Sequence, residues 1–125
     1  MGLEFYITRA EFWADNKGHE ITAEEWQTYL ASDPELKPDA RHGEFGVIWL
    51  GRSAYDDPWL NWFRGNVYTK WPDTALYRKM LRIARALGAQ VQDDDGNVYT
   101  RDTGWNFEPN DERDKIHRAG DDSAL

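Results

Sequence analysis

The chain has 125 residues and no cysteine, and its 15 Lys and Arg stand against 23 Asp and Glu, a formal net charge of −8 at pH 7. That length suits one domain around a single core, and 40% apolar residues with 7 Trp, 6 Tyr and 5 Phe argue against disorder. The lack of cysteine excludes disulfide frameworks, thiolate nucleophiles and cysteine zinc sites, and the averaged negative field disfavours nucleic acid and anionic membrane surfaces as partners.

Met1-Gly2-Leu3-Glu4-Phe5-Tyr6-Ile7 carries no basic segment followed by a long apolar run, and Tyr6 stands where a myristoylation motif prefers Ser or Thr. No later run reaches membrane-spanning length, so cytoplasmic residence is the expectation. Leu3, Phe5 and Ile7 alternate with Glu4, Tyr6 and Thr8, which predicts a half-buried strand over residues 3–8. Ala10 to Ala14 reads as a loop with local helix, closed by Asn16-Lys17-Gly18.

Thr22 and Glu25 have capping-box spacing, with Ile21 and Trp26 placed as a hydrophobic staple, so a helix is predicted over residues 22–31 with Trp26, Tyr29 and Leu30 on one side. Pro34, Pro38 and Gly43 then mark residues 33–44 as an exposed connection. Phe45 to Leu50 is a short apolar run that suits a central strand.

Trp59–Arg64 and Val67–Trp71 flank Gly65-Asn66, which predicts a hairpin turning at those two residues. Its alternation places Leu60, Trp62, Val67 and Trp71 on a core face and Trp59, Asn61, Phe63, Tyr68 and Lys70 on the other. Asp73 can cap a second helix whose Leu76, Met80, Ile83 and Leu87 recur at helical spacing until Gly88. Arg78, Lys79, Arg82 and Arg85 form a basic stripe on that helix, read as a solvated face.

Residues 89–92 and 97–100 flank Asp93-Asp94-Asp95-Gly96 as a last hairpin, with Val91 and Val98 expected to face inward together. Trp105 and Phe107 are isolated apolar anchors in a polar stretch. The resulting expectation is an α+β fold: one domain over residues 1–107, with a largely antiparallel sheet and two main helices packed on one side, a two-layer sandwich. Residues 108–125 are expected to be a polar, mobile tail.

No catalytic, cofactor-binding or metal site is nominated. A calcium loop beginning at Asp93 would require Gly and Glu where Val98 and Gly104 stand, so the acidic run reads as a hairpin turn. His19, His42 and His117 are scattered, and no nucleophile elbow, phosphate loop or dinucleotide fingerprint occurs. The more informative constellation is Trp49, Tyr55, Asp56, Asp57, Trp59, Asn61, Phe63 and Tyr68, where aromatic anchors interleave with acids as they do at protein interfaces. The competing reading is that these rings help to build the core.

Ile21-Thr22-Ala23-Glu24-Glu25-Trp26, Ser32-Asp33-Pro34-Glu35-Leu36 and Leu87-Gly88-Ala89-Gln90-Val91-Gln92 resemble a group of small, uncharacterised bacterial proteins, over most of residues 3–100. In size, acidity and layout the chain is similar to immunity proteins that neutralise bacterial toxins. That resemblance implies a protein-binding inhibitor that occludes a basic toxin domain, and it transfers no functional residue. Two other functions remain open: an acidic DNA mimic that inhibits a nucleic-acid-binding protein, and a small enzyme whose site is assembled only by the fold.

Overall fold

The computed structural model describes residues 3–109. Over them the chain runs β1 (Glu4–Thr8), α1 (Ala23–Ser32), β2 (Leu36–Pro38), a 3₁₀ turn (Ala40–His42), β3 (Val47–Trp49), β4 (Trp59–Phe63), β5 (Asn66–Lys70), α2 (Thr74–Leu87), β6 (Gln90–Asp93) and β7 (Val98–Tyr99). All pairings are antiparallel, in the order β2-β3-β4-β5-β1-β6-β7. Both helices pack on one side of this sheet, the α+β two-layer arrangement that the element order implies.

The helices form where their ends are satisfied. Thr22 Oγ1 accepts the Glu25 amide at 3.0 Å and Glu25 Oε1 accepts the Thr22 amide at 2.9 Å, completing the capping box. Asp73 Oδ1 caps α2 through the Leu76 amide at 3.1 Å, and Gly88, at φ 64°, ends that helix in the left-handed conformation. Between sheet and helices lie Phe5, Ile7, Ile21, Trp26, Val47, Leu60, Val67, Leu76, Tyr77, Met80, Ile83 and Val91, each 1% exposed or less. Trp105 joins them from the chain's far end, 4.8 Å from the Phe5 ring centroid, with Nε1 donating to Pro72 O.

Five local expectations need correction. Residues 33–44 are not simply a connection: they hold the edge strand β2, with Leu36 buried opposite Trp49, and the 3₁₀ turn capped by Asp39. Pro38 is compatible with that strand because an edge leaves one side of its backbone unpaired.

The β4–β5 turn is Arg64-Gly65, at φ 52° and 90°, and Asn66 pairs with Phe63 inside the strand. Both registers pair odd with even residues, so the predicted faces survive the correction.

Trp71 leaves the core face. Its φ of 44° swings the ring out to 43% exposure, 5.3 Å from the Phe107 ring, while its amide donates to Leu3 O and its carbonyl accepts from the Tyr55 hydroxyl.

Lys79 is not part of a solvated stripe. It is 5% exposed, and Nζ lies 2.8 Å from both Asp33 Oδ2 and Glu35 Oε1, while Arg78, Arg82 and Arg85 are exposed.

Val98 faces outward, 49% exposed and opposite Gln92, and Tyr99 takes the inward place opposite Val91. The cause is one extra turn residue: the Asp93 carboxylate accepts from the Asn97 amide and from Asn97 Nδ2, both at 3.0 Å, and draws Asn97 into the turn. An odd shift reverses every side chain that follows. The tail expected over 108–125 lies outside the described residues from residue 110 onward.

Candidate binding face

On the side away from the helices, register lines up side chains from four strands in one row. Asn61 of β4 stands opposite Tyr68 of β5, Tyr68 opposite Tyr6 of β1, and Tyr6 opposite Gln92 of β6. Flanking rows pair Lys70 with Glu4 and Phe63 with Asn66. The rings make a near-continuous floor: Tyr6 and Tyr68 are 6.2 Å apart at 30°, and Trp59 meets Tyr68 edge-on at 5.5 Å. Trp59 also carries the His42 ring in parallel, with centroids 5.4 Å apart.

A strap, residues 9–16, crosses this face and is fixed by two amide side chains. Fully buried Gln92 donates through Nε2 to Ala10 O at 3.2 Å and Glu11 O at 3.0 Å, and accepts the Trp13 amide at 3.0 Å. Asn66 Nδ2 donates to Trp13 O at 3.0 Å, and Trp13 Nε1 donates to Asp94 O at 2.9 Å. Trp13 therefore lies flat on Tyr6, with centroids 3.9 Å apart and planes 7° from parallel. Between strap and β4–β5 turn is a groove of ≈ 500 Å³, lined by Glu4, Tyr6, Trp13, Ala14, Asn16, Phe63, Arg64, Asn66, Tyr68 and Lys70.

Carboxylates set the electrostatics at the β1–β6 end. Burial, then the hydrogen bond to Glu4 Oε1, pushes the Tyr6 phenol well above its ordinary range, so it stays neutral and donating. Burial also raises the Asp94 carboxyl; its bond from the Glu4 amide opposes this, and the charges of Glu4, Asp93 and Asp95 add to the rise. Lys70 Nζ, 3.8 Å from Glu4 Oε2, supplies partial neutralisation. Asn61 is 9% exposed, and its Oδ1, like His42 Nε2, is buried with no hydrogen-bond partner among the described residues. Phenols, indoles and amides in this arrangement offer flat π faces and directional hydrogen bonds, which is binding chemistry.

The eight residues singled out by sequence separate into three places. Trp59, Asn61, Phe63 and Tyr68 share the open face. Trp49 does not: it is 6% exposed on the helix side, with Nε1 donating to Glu35 Oε1 at 3.1 Å, and so belongs to the core. Tyr55, Asp56 and Asp57 lie in the loop before β4; the Tyr55 hydroxyl reaches Trp71 O, and exposed Asp57 is 3.9 Å from Arg41 Nη1. Sequence reasoning missed Tyr6, Trp13, Asn66 and Gln92. Tyr6 was visible as an aromatic on the polar side of an alternating strand, whereas nothing local marks Gln92 as the residue that anchors a strap 80 positions away.

The run Asp93–Asn97 is a turn held by Asp93, whose carboxylate also accepts the Tyr99 hydroxyl at 2.8 Å. Among the described residues no group of three or more His, Asp or Glu side chains is placed to hold a metal ion, and no helix is long and apolar enough to cross a membrane. No protein-family model, curated protein or solved structure matches this chain.

Proposed function

We propose that this protein is a protein-binding inhibitor of the immunity type, which neutralises a basic toxin domain by covering it with the open face of the sheet. The observation that supports this is the groove itself: an aromatic floor of Tyr6 and Tyr68 beside a wall held in place by Gln92 and Asn66. Tyr and Trp provide large contact area with one polar handle each. A wall already ordered before association lowers the entropy lost on binding. A net charge of −8 accelerates encounter with a cationic partner.

Co-expression with the products of adjacent genes tests the proposal. A stable complex is expected with one of them, together with protection of cells that produce it. Trp13→Ala and Tyr68→Ala are each expected to weaken that complex about tenfold or more while the protein stays folded. A protein that remains monomeric beside every adjacent product, and protects no cell, overturns it.

A further inference from the structure

We propose that Arg64 is the anchor by which the groove selects its partner: it takes the carboxylate of an aspartate or glutamate side chain, with the partner chain beside that residue lying on the Tyr68 ring. This rests on the protein-binding function above and specifies the chemistry that the face recognises.

The conformation of the turn is the first argument. Arg64 and Gly65 turn the β4–β5 hairpin with φ of 52° and 90°. Positive φ at both turn residues favours Asn, Asp or Gly at the first, because the left-handed conformation crowds Cβ against the backbone and only a short polar side chain or none offsets that. The backbone here is firmly seated: Gly65 O accepts the Ile21 amide at 2.9 Å, Arg64 O accepts Asn16 Nδ2 at 2.8 Å, and a Cβ on Gly65 would come within 2.7 Å of the Glu20 side chain. A bulky residue held where the turn disfavours it marks a use for its side chain.

Charge is the second argument. The groove's lining carries two cations, Arg64 and Lys70, against the one carboxylate of Glu4. Glu4 is already engaged, accepting the Tyr6 hydroxyl and lying 3.8 Å from Lys70 Nζ. Arg64 takes part in no ion pair among the described residues.

Preorganisation is the third. Arg64 Cζ stands 5.2 Å from the Phe63 ring centroid, so the guanidinium is braced before a partner arrives and loses less freedom on pairing. Its planar fork matches a carboxylate with two parallel hydrogen bonds. Arg64 and Asn16 also line the depression beside the start of α1, so a chain crossing the turn meets the guanidinium from either side. The net charge of −8 then draws in a basic domain, while Arg64 selects which acidic residue of that domain enters the groove and so sets its register.

The isolated protein titrated with the blocked peptide acetyl-Tyr-Glu-Tyr-amide, and with its Gln counterpart, provides the test. Nuclear magnetic resonance follows the Arg64 Nε–H, the Gly65 backbone amide and the Trp13 indole N–H. Saturable shifts are expected with the Glu peptide, the Gln peptide binding at least about fivefold more weakly, and the difference should shrink as salt is raised. Arg64→Asn should abolish the preference for Glu and, because Asn suits the turn, raise the melting temperature by about 2 °C or more. Arg64→Lys keeps the charge but loses the fork, and its preference should fall between the two. Lys70→Gln should leave the preference in place.

Equal response to the two peptides, a preference that follows Lys70 instead of Arg64, or no saturation up to about 20 mM overturns the inference. A lowered melting temperature for Arg64→Asn makes the side chain a structural one and overturns it as well. A toxin complex that Arg64→Asn forms as tightly as the parent protein removes this inference alone. Glu-peptide binding through Arg64 without any toxin complex removes the proposed function and leaves the carboxylate site standing.

Discussion

The two faces of the sheet are built on different physics. Toward the helices, Phe5, Ile7, Val47, Leu60, Val67 and Val91 meet Trp26, Leu76, Tyr77, Met80 and Ile83, and area removed from water holds them together. Away from the helices, the central row is rings and amides flanked by the Glu4–Lys70 pair, and Gln92 and Asn66 hold the strap in place through directional hydrogen bonds. The first face is therefore sensitive to volume, and the second to the loss of single donors or acceptors. Trp26→Ala is expected to have the largest effect on stability, about 4 kcal/mol in urea unfolding, because it empties a site at 0% exposure and frees the Phe45 carbonyl that Nε1 now satisfies.

At the margin of the helix face, a charged cluster obeys the rule of the open face. Lys79 Nζ bridges Asp33 and Glu35, Tyr29 donates to Asp33 Oδ2 at 2.5 Å, and the Glu35 amide closes on Asp33 Oδ1 at 3.0 Å. Removing the ammonium strands a buried carboxylate, so Lys79→Met should destabilise by about 3 kcal/mol in the same unfolding measurement.

This cluster also predicts a pH dependence. Burial acts to raise the Asp33 carboxyl, but the hydrogen bonds from Lys79, Tyr29 and the Glu35 amide outweigh it and leave it lowered. Glu35 is lowered chiefly by its bond from Lys79, then by Trp49. With folded values below unfolded ones, the stabilisation is complete above the ordinary carboxylate range and is lost as pH falls through the lowered folded values. Thermal melts from about pH 7 down to about pH 3 should show an acid limb that Lys79→Met flattens. Parallel limbs in the two proteins would show that other carboxylates dominate.

The strap supplies the next effect down. Gln92→Leu keeps the side chain's bulk but leaves Ala10 O, Glu11 O and the Trp13 amide without their partner, with an expected loss of about 2 kcal/mol. The loss should appear as faster amide exchange across residues 10–16 while β1, β5 and α2 keep their protection. Uniform acceleration over the whole sheet would mean that the strap and the core unfold as one unit, and the contrast between the two faces would disappear.

What could be read in advance follows the same division. The strands and helices of the packed layer announce themselves because burial imposes a period: Phe5 and Ile7, or Leu76, Met80, Ile83 and Leu87, repeat at the spacing of their element. Caps such as Thr22 with Glu25, or Asp73, are equally local. The edge strand β2 stayed hidden because it has three residues, the last of them Pro38, and pairs only through tertiary contact. The inward turn of Tyr99 in place of Val98 depended on one hydrogen-bonded loop residue, and Lys79 looked solvated because its acidic partners lie over 40 positions away. The open face was half legible: Trp59, Asn61, Phe63 and Tyr68 came from one hairpin, while Tyr6, Trp13 and Gln92 are brought to it by the pairing of β1 with β5 and β6 and by the strap.

The smallest expected effect on stability is also the sharpest comparison, because it sets neighbours on β4 against each other. Trp62 points to the helix side and its Nε1 donates to Ile21 O at 2.7 Å, whereas Phe63 points away and is 56% exposed, with Arg64 over its ring. Phe63→Ala exposes little that water does not already reach, so its effect on unfolding should stay within about 0.5 kcal/mol, against about 3 kcal/mol for Trp62→Ala. Affinity should rank them the other way if the open face is where a partner sits: an exposed ring on the rim of a groove contributes through contact made only in the complex. If Phe63→Ala and Trp62→Ala instead lower stability by similar amounts, the ring at position 63 is part of the folding core and the open face is not available in the way its exposure implies.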